Sequence, residues 1–128
     1  MEKVEIKHIK PAFTDHRGDI FDLLDDEKIL HVGLITSTKG AVRACHYHNK
    51  AKQFNYVLKG SFEFLSKEVD NPNAEVIKTI LREGDFVSIP TRVIHKFVAL
   101  EDESAIIDLN TESRSGDGYE SDTVRVDI

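Results

Sequence analysis

Short strand-like runs separated by turn residues dominate this chain and restrict the folds open to it. Each run is rich in β-branched or aromatic residues and is bounded by Gly, Pro, Asn or Asp, which is typical of strands. Long 3.6-residue apolar periodicity is missing, so the pattern predicts an all-β sandwich or barrel. The ten predicted strands span residues 4–9, 19–24, 30–36, 41–47, 54–58, 61–66, 75–81, 86–89, 94–100 and 105–109.

Length and composition indicate one soluble globular domain. The chain has 128 residues, of which 40% are hydrophobic and 31% charged, and its net charge is -6. We expect a domain over residues 1–128, with a core at about 13–110 and a polar tail at 111–128. Apolar runs stay well below the roughly 20 residues of a spanning helix, so no membrane association is expected. The single cysteine, Cys45, cannot form an internal disulfide, which favours a cytoplasmic location.

Three histidines and a glutamine form the candidate site. His46 and His48 are two positions apart, so their side chains share one face of a strand, and glycines mark the turns that bring the chain back toward them. With His95 and Gln53 they could hold one divalent ion of Zn, Ni, Fe or Mn. The same imidazoles could instead act as acid–base groups, or fill the interior through hydrogen bonds alone.

Charge is distributed unevenly around these histidines. Residues 39–60 contain no carboxylate, and neither do residues 86–98. An acidic protein with positive charge gathered near its histidines suits a diphosphate better than a nucleic acid. The alternative is that the lysines protect strand edges from aggregation. The basic residues involved are Lys39, Arg43, Lys50, Lys52, Lys59, Arg92 and Lys96.

The spacing of glycines and histidines resembles the two-part signature of the cupin superfamily. The first part runs from Gly40 through His46, His48 and Gln53 to Gly60, and the second consists of Gly84, Pro90 and His95. Gln53 replaces the usual glutamate, Arg92 a glycine and Ala99 an asparagine. The resemblance implies a single-domain cupin jelly-roll β-barrel.

A second resemblance concerns the reaction. The segment 14–21, with Asp15, Arg17 and Gly18, looks like the opening motif of cupin-fold sugar-nucleotide epimerases and ketoisomerases. The segment 42–50 is similar to the arginine–histidine stretch of the same enzymes. This resemblance implies that Arg17 and Arg43 hold a nucleotide-linked 4-keto-6-deoxy sugar and that His46 removes the proton next to its ketone. His48 or a bound metal would stabilise the enediolate, or His48 would return the proton. The general acid is unassigned: besides Tyr47, the candidates are Tyr56 and Tyr119, and the sequence does not place either of these two in the site.

Strand geometry adds further cavity residues. Asn55 shares a face with Gln53, and Phe97 shares one with His95, so both are expected to line the cavity. Lys50 and Arg92 are further candidates to hold a diphosphate beside Arg17 and Arg43. Arg43 and His46 differ by three positions, which places them on opposite faces of an ideal strand. Both can reach one ligand if the strand bulges near Ala44.

Two other functions stay open from the sequence. One is a metal-dependent small cupin, an isomerase or dioxygenase of a small organic acid or sugar, and the other is a non-catalytic sugar-binding cupin. We also expect a homodimer in which an edge strand, the N-terminal region or the tail forms the contact.

Overall fold

Two five-stranded antiparallel sheets make up most of the protein in a computed structural model that describes residues 3–128. One sheet has the order β1-β9-β6-β11-β4 and the other β12-β5-β10-β7-β8, while β2 and β3 form a separate hairpin. The strands are β1 Glu5–His8, β2 Phe13–Asp15, β3 Gly18–Ile20, β4 His31–Ser37, β5 Val42–His48, β6 Gln53–Lys59, β7 Ser61–Glu68, β8 Ile77–Arg82, β9 Asp85–Ile89, β10 Val93–Ala99, β11 Ser104–Asn110 and β12 Thr123–Arg125, with a short helix, α1, at Gly118–Asp122.

The predicted all-β jelly roll is confirmed. All ten predicted segments overlap a strand, although residues 21–24 leave the strand state after β3. Leu23 and Leu24 instead pack against a small apolar cluster around Phe54 and Phe86. The sheets remain two layers, since within residues 3–128 no strand pairing joins them into a closed ring.

The main core lies between the two sheets. Alternate residues of facing strands point inward and exclude water, as period-two patterning requires. Val57 of β6, Phe64 of β7 and Ile106 of β11 are at most 1% exposed. Each fully buried side chain of this size stabilises the fold by about 1.5–3 kcal/mol.

Two turns of the histidine pattern show why particular residues are needed. Gly60 connects β6 to β7 with φ +77°, and a Cβ atom there would collide with Ser104. A glycine meets both requirements. Arg92, at the position where the resemblance places glycine, adopts a φ of 58°. Its side chain lies on the outside, where it binds Asp70 and packs over the Tyr47 ring.

The polar tail folds back onto the body of the protein. β12 pairs antiparallel with β5, so Thr123 lies opposite His48 and Arg125 opposite His46. The helix α1 precedes β12 and covers the same end of the sandwich. No helix among residues 3–128 is long and apolar enough to cross a membrane.

Candidate functional site

The three histidines converge on one point between the sheets. His46 and His48 lie on β5, and His95 lies directly opposite His46 on β10. Their candidate ligand nitrogens all lie within 4.8 Å of one another, and all three residues are buried. The ring centroid of His46 is 4.7 Å from those of both His48 and His95. The cluster can therefore bind one small group or ion through several nitrogens.

Hydrogen bonds determine which ring nitrogen of His48 and His95 carries the proton. His95 Nδ1 lies 3.0 Å from the Val93 carbonyl oxygen, which can accept a hydrogen bond but cannot donate one. His48 Nδ1 lies 3.2 Å from the Thr123 hydroxyl, which already donates to the Tyr119 carbonyl. Both Nδ1 atoms are therefore donors. The Nε2 atoms of both rings are buried without a hydrogen-bond partner and keep their lone pairs.

Burial keeps these imidazoles neutral at pH 7. It is the main cause that lowers the pKa of His46 to about 4 and that of His95 to about 3. The neighbouring histidines add repulsion in both cases. Burial also lowers the pKa of His48, although the Asp122 carboxylate and the Gln53 amide act in the opposite direction. Neutral imidazoles are the form needed either to accept a proton or to bind a metal.

A chain of side-chain amides leads from Gln53 to a buried carboxylate. Gln53 Nε2 donates to Asn55 Oδ1 at 2.9 Å, and Asn55 Nδ2 donates to Asp108 Oδ1 at 3.0 Å. Asn110 Nδ2 donates to the other Asp108 oxygen at 2.8 Å. Since a carboxylate accepts hydrogen bonds, it sets the direction of the whole chain. The chain therefore runs from Gln53 as the first donor to Asp108 as the final acceptor.

Burial raises the pKa of Asp108, and this is the largest effect on that carboxyl group. The two amide donors and the His31 ring oppose the shift. His31 Nδ1 lies 3.9 Å from Asp108 Oδ2 and has no hydrogen-bond partner. The structure thus places His31, a residue of β4, beside this carboxylate.

A cavity of about 280 Å³ opens beside the histidines. Its wall combines apolar side chains, amides, one carboxylate and two arginines, which is the mixture expected of a site for a polar organic ligand. The lining residues are Ile35, Arg43, Ala44, His46, Gln53, Asn55, Phe97, Ile106, Asp108, Asn110, Arg114 and Tyr119.

A bulge in β5 brings Arg43 and His46 to this cavity together. Ala44 and Cys45 have positive φ angles of 67° and 76°, and the register with β10 shifts by one residue at this point. The extra residue reverses the alternation of side chains, as the sequence required near Ala44. Arg43 Nε then donates to Ser37 Oγ, and Nη2 donates to the Thr36 carbonyl.

Asn55 and Phe97 line the cavity, but two predicted substrate residues lie elsewhere. Arg17 lies on the exposed β2–β3 hairpin, where Nη2 donates to Asp15 Oδ2 at 2.6 Å. Arg92 binds Asp70 and Asn49 in a separate depression. Neither arginine lines the histidine cavity; a carboxylate elsewhere binds each of them, Asp15 in the case of Arg17 and Asp70 in the case of Arg92.

The tail supplies Tyr119, a candidate acid that the sequence did not place, and Arg114, which sequence reasoning missed. Tyr119 lies with its ring centroid 5.6 Å from that of His48 and 6.5 Å from that of His46. The Arg114 guanidinium packs over the Tyr119 ring at 4.2 Å. The sequence signal for Tyr119 was an aromatic residue inside an otherwise polar tail. Strand periodicity, however, does not show where on the protein the tail packs. Among the residues described, Arg114 and Arg43 supply the cationic side chains of the cavity wall.

Comparisons with known proteins agree with the geometry. A family model described as "Cupin domain" matches residues 33–110, which is more than half of the chain. No curated protein sequence matches the chain significantly. Many solved structures share its fold.

Three of these structures illustrate the similarity. The rmlC epimerase of Mycobacterium tuberculosis has a TM-score of 0.81 and 16% identity, and the match covers 96% of this chain and 68% of that one. ChmJ, a 3'-monoepimerase from Streptomyces bikiniensis solved with dTDP-quinovose, has a TM-score of 0.79 and 14% identity over 97% and 69% of the two chains. QdtA, a 3,4-ketoisomerase from Thermoanaerobacterium thermosaccharolyticum solved with TDP, has a TM-score of 0.76 and 22% identity over 96% and 88%.

Proposed function

Since the chain belongs to the cupin domain family, we propose that it is an isomerase or epimerase of a nucleotide-linked 4-keto-6-deoxy sugar. The single observation that carries this proposal is the cavity that brings together the His46 imidazole, the Tyr119 ring and the guanidinium group of Arg43. Two of the structures named above were solved with dTDP-quinovose or TDP. A base, a phenol and arginines in one wall are what proton transfer on a diphosphate-bearing sugar requires.

In the proposed reaction, His46 removes the proton on the carbon next to the ketone. Its imidazole is neutral at pH 7, because burial lowers its pKa to about 4, so it is free to accept a proton. The charge formed there is offset in part by Glu120, which acts on the His46 pKa in the favourable direction. Tyr119 is our candidate for the general acid. For a ketoisomerase outcome, the proton that His46 has removed would pass to His48, whose ring centroid lies 4.7 Å away, and from there to the neighbouring carbon.

Arg43 and Arg114 are the proposed diphosphate ligands. A guanidinium group forms paired hydrogen bonds with phosphate oxygens, which a lysine ammonium cannot reproduce. The cavity volume of about 280 Å³ is at the lower end of small-molecule sites. We therefore infer that the sugar ring enters the cavity and the nucleotide lies at its mouth.

The test follows the exchange of the α-proton of a dTDP-linked 4-keto-6-deoxy sugar in deuterated water. His46→Asn should keep binding and abolish exchange. Arg43→Lys should weaken binding despite its conserved charge, by about tenfold or more, since it loses a charge-assisted bond of about 1.5–3 kcal/mol. Arg82→Lys, on exposed β8 outside the cavity, is the matched control and should behave as wild type.

The proposal fails if the wild-type protein neither binds the nucleotide-sugar nor exchanges its proton. It also fails if Arg43→Lys and Arg82→Lys bind equally well, because the cavity arginine would then contribute nothing specific.

A metal-dependent small cupin is the second candidate, favoured by the bare Nε2 atoms of His48 and His95. These atoms, a nitrogen of His46 and the Gln53 oxygen are acceptors and suit a divalent ion of Zn, Ni, Fe or Mn. Such an ion would supply Lewis-acid polarisation of a substrate oxygen. His95→Ala or a chelator should then lower thermal stability, because a metal bound to the folded state stabilises it. Metal-free protein whose melting is unchanged by added Zn²⁺ would exclude this candidate.

We further propose a cytoplasmic homodimer. Val32 and Leu34 are 64% and 63% exposed on β4, the outer strand of its sheet. An exposed apolar edge strand is a natural surface for pairing with a second copy. Light scattering at micromolar concentration should give twice the chain mass of 14.5 kDa. A monomer would contradict the proposal.

A further inference from the structure

We propose that Thr123 is a positioning residue that holds His48 in the tautomer with a bare Nε2, and that Asp122 anchors the neighbouring loop. The C-terminal segment 119–123 would thereby complete the site, although it lies outside the region that matches the family model. The inference deepens the proposed function, since it rests on a role for His48 in either candidate chemistry.

The Thr123 hydroxyl has one hydrogen and two neighbours. Its Oγ1 lies 2.6 Å from the Tyr119 carbonyl oxygen, a separation of two oxygens that requires a hydrogen between them. The carbonyl cannot provide that hydrogen, so the hydroxyl donates it. Oγ1 then faces His48 Nδ1 at 3.2 Å as an acceptor, and Nδ1 must carry the ring proton.

Asp122, next to Thr123, fixes the loop that follows His48. Its carboxylate accepts backbone N–H groups of Asn49 at 3.0 Å, Lys50 at 2.7 Å and Ala51 at 3.0 Å. The hydrogen bond between Ala51 and Asp122 is buried, and it joins residues that are 71 positions apart in the sequence. The loop that follows His48 is thus fixed to the tail. The carboxylate also lies 3.9 Å from His48 Nδ1, which further favours a proton on that atom.

A bare Nε2 is what both chemistries need from His48. A nitrogen that already carries a hydrogen can neither bind a metal nor accept a proton from a substrate. Residues that hold the second nitrogen of a ligating histidine typically change metal affinity by 10- to 100-fold when removed. Thr123 occupies that place for His48, as the Val93 carbonyl does for His95.

The experiment records 15N NMR spectra of the imidazoles in full-length protein treated with a chelator. Protonated and bare ring nitrogens differ clearly in 15N shift, so the tautomer is read without substrate. Wild type should show His48 protonated at Nδ1. Thr123→Val, which has nearly the same volume but no hydroxyl, should populate the Nε2-protonated tautomer. Thr123→Ser should restore the wild-type spectrum.

Zn²⁺ alone serves as a second probe, measured by calorimetry. Thr123→Val should weaken its binding about 10- to 100-fold. Ser121→Ala is the matched control, because it removes a hydroxyl of the preceding helix α1 that, in the described part of the chain, bonds only to the Gly118 carbonyl. It should leave both the tautomer and the affinity unchanged.

An Nε2-protonated His48 in the wild type overturns the inference, even if Thr123→Val does not fold. An unchanged tautomer in a folded Thr123→Val also overturns it. Wild-type spectra with the expected tautomer, but no exchange of substrate protons, would leave this inference intact and reject the proposed reaction.

Discussion

Replacing Gln53 by glutamate tests whether the amide chain has the direction that the structure assigns. Gln53 Nε2 donates to Asn55, which in turn donates to Asp108. Glutamate has no amine, so its carboxylate oxygen would face Asn55 Oδ1, which is an acceptor. Asn55 cannot relieve this by turning its amide over, because Asn55 Nδ2 would then no longer donate to Asp108.

The expected loss follows from these contacts. Asn55 is 2% exposed and Gln53 is 7% exposed, so bulk water replaces the missing donor poorly. A buried polar group without a partner costs about 1–3 kcal/mol, and a second buried carboxylate adds to that cost. For a chain of this size about 1 kcal/mol corresponds to roughly 4 °C in melting temperature. We therefore expect Gln53→Glu to melt at least about 4 °C lower in chelator.

A compensating substitution makes the test specific. Asp108→Asn supplies an amine at the far end, so the chain can run in the opposite direction, toward the carboxylate introduced at position 53. The double variant should recover part of the lost stability, with a coupling energy of about 1 kcal/mol or more in a double-mutant cycle. Urea unfolding of wild type, both single variants and the double variant gives this energy.

Gln53→Leu is the control without charge, since it leaves Asn55 Oδ1 unpaired but buries no carboxylate. If Gln53→Glu is as stable as wild type in chelator, or if the two substitutions are simply additive, the directed chain is wrong. If the second candidate function holds, Zn²⁺ should stabilise Gln53→Glu more than wild type, because the added charge strengthens the fourth ligand.

Three further predictions concern the same cavity. The lowered pKa values of His46 (about 4) and His95 (about 3) mean that the unfolded chain binds more protons below pH ~6.5. The contribution of these two histidines to the free energy of unfolding should thus be complete above that pH and should fall toward pH 4 by up to ~1.4 kcal/mol per pH unit for each histidine. Asp108, whose pKa is raised, acts in the opposite direction. Urea midpoints that stay constant from pH 7.5 to 4.5 would refute this prediction. Tyr119→Phe should keep nucleotide-sugar binding and reduce turnover about 100-fold, as loss of a general acid does, and unchanged turnover would remove Tyr119 from the mechanism. Asp122→Ala should remove the carboxylate that accepts three backbone N–H groups and speed amide exchange at Lys50 and Ala51, whereas the Asn49 N–H keeps its bond to the carbonyl of residue 122; unchanged protection factors at 50 and 51 would contradict this.

Local patterns in the sequence determined the strands and the central pair of histidines. Period-two spacing placed His46 and His48 on one face, and the same rule placed Asn55 with Gln53 and Phe97 with His95. The structure confirms those shared faces because alternation is a property of each strand by itself. The glycine at position 60 likewise marked a turn that its backbone and the nearby Ser104 require.

Long-range packing decided the remainder of the site. The bulge at Ala44 and Cys45 arises from pairing with β10, and it is what turns Arg43 toward His46. Thr123 reaches His48 across 75 positions, a pairing that no local period records. Arg92 lies in one of the carboxylate-free segments of the sequence, yet its side chain binds Asp70 outside the histidine cavity. Charge and spacing along the chain indicate which residues are available, whereas the partners a side chain meets depend on how distant strands pack.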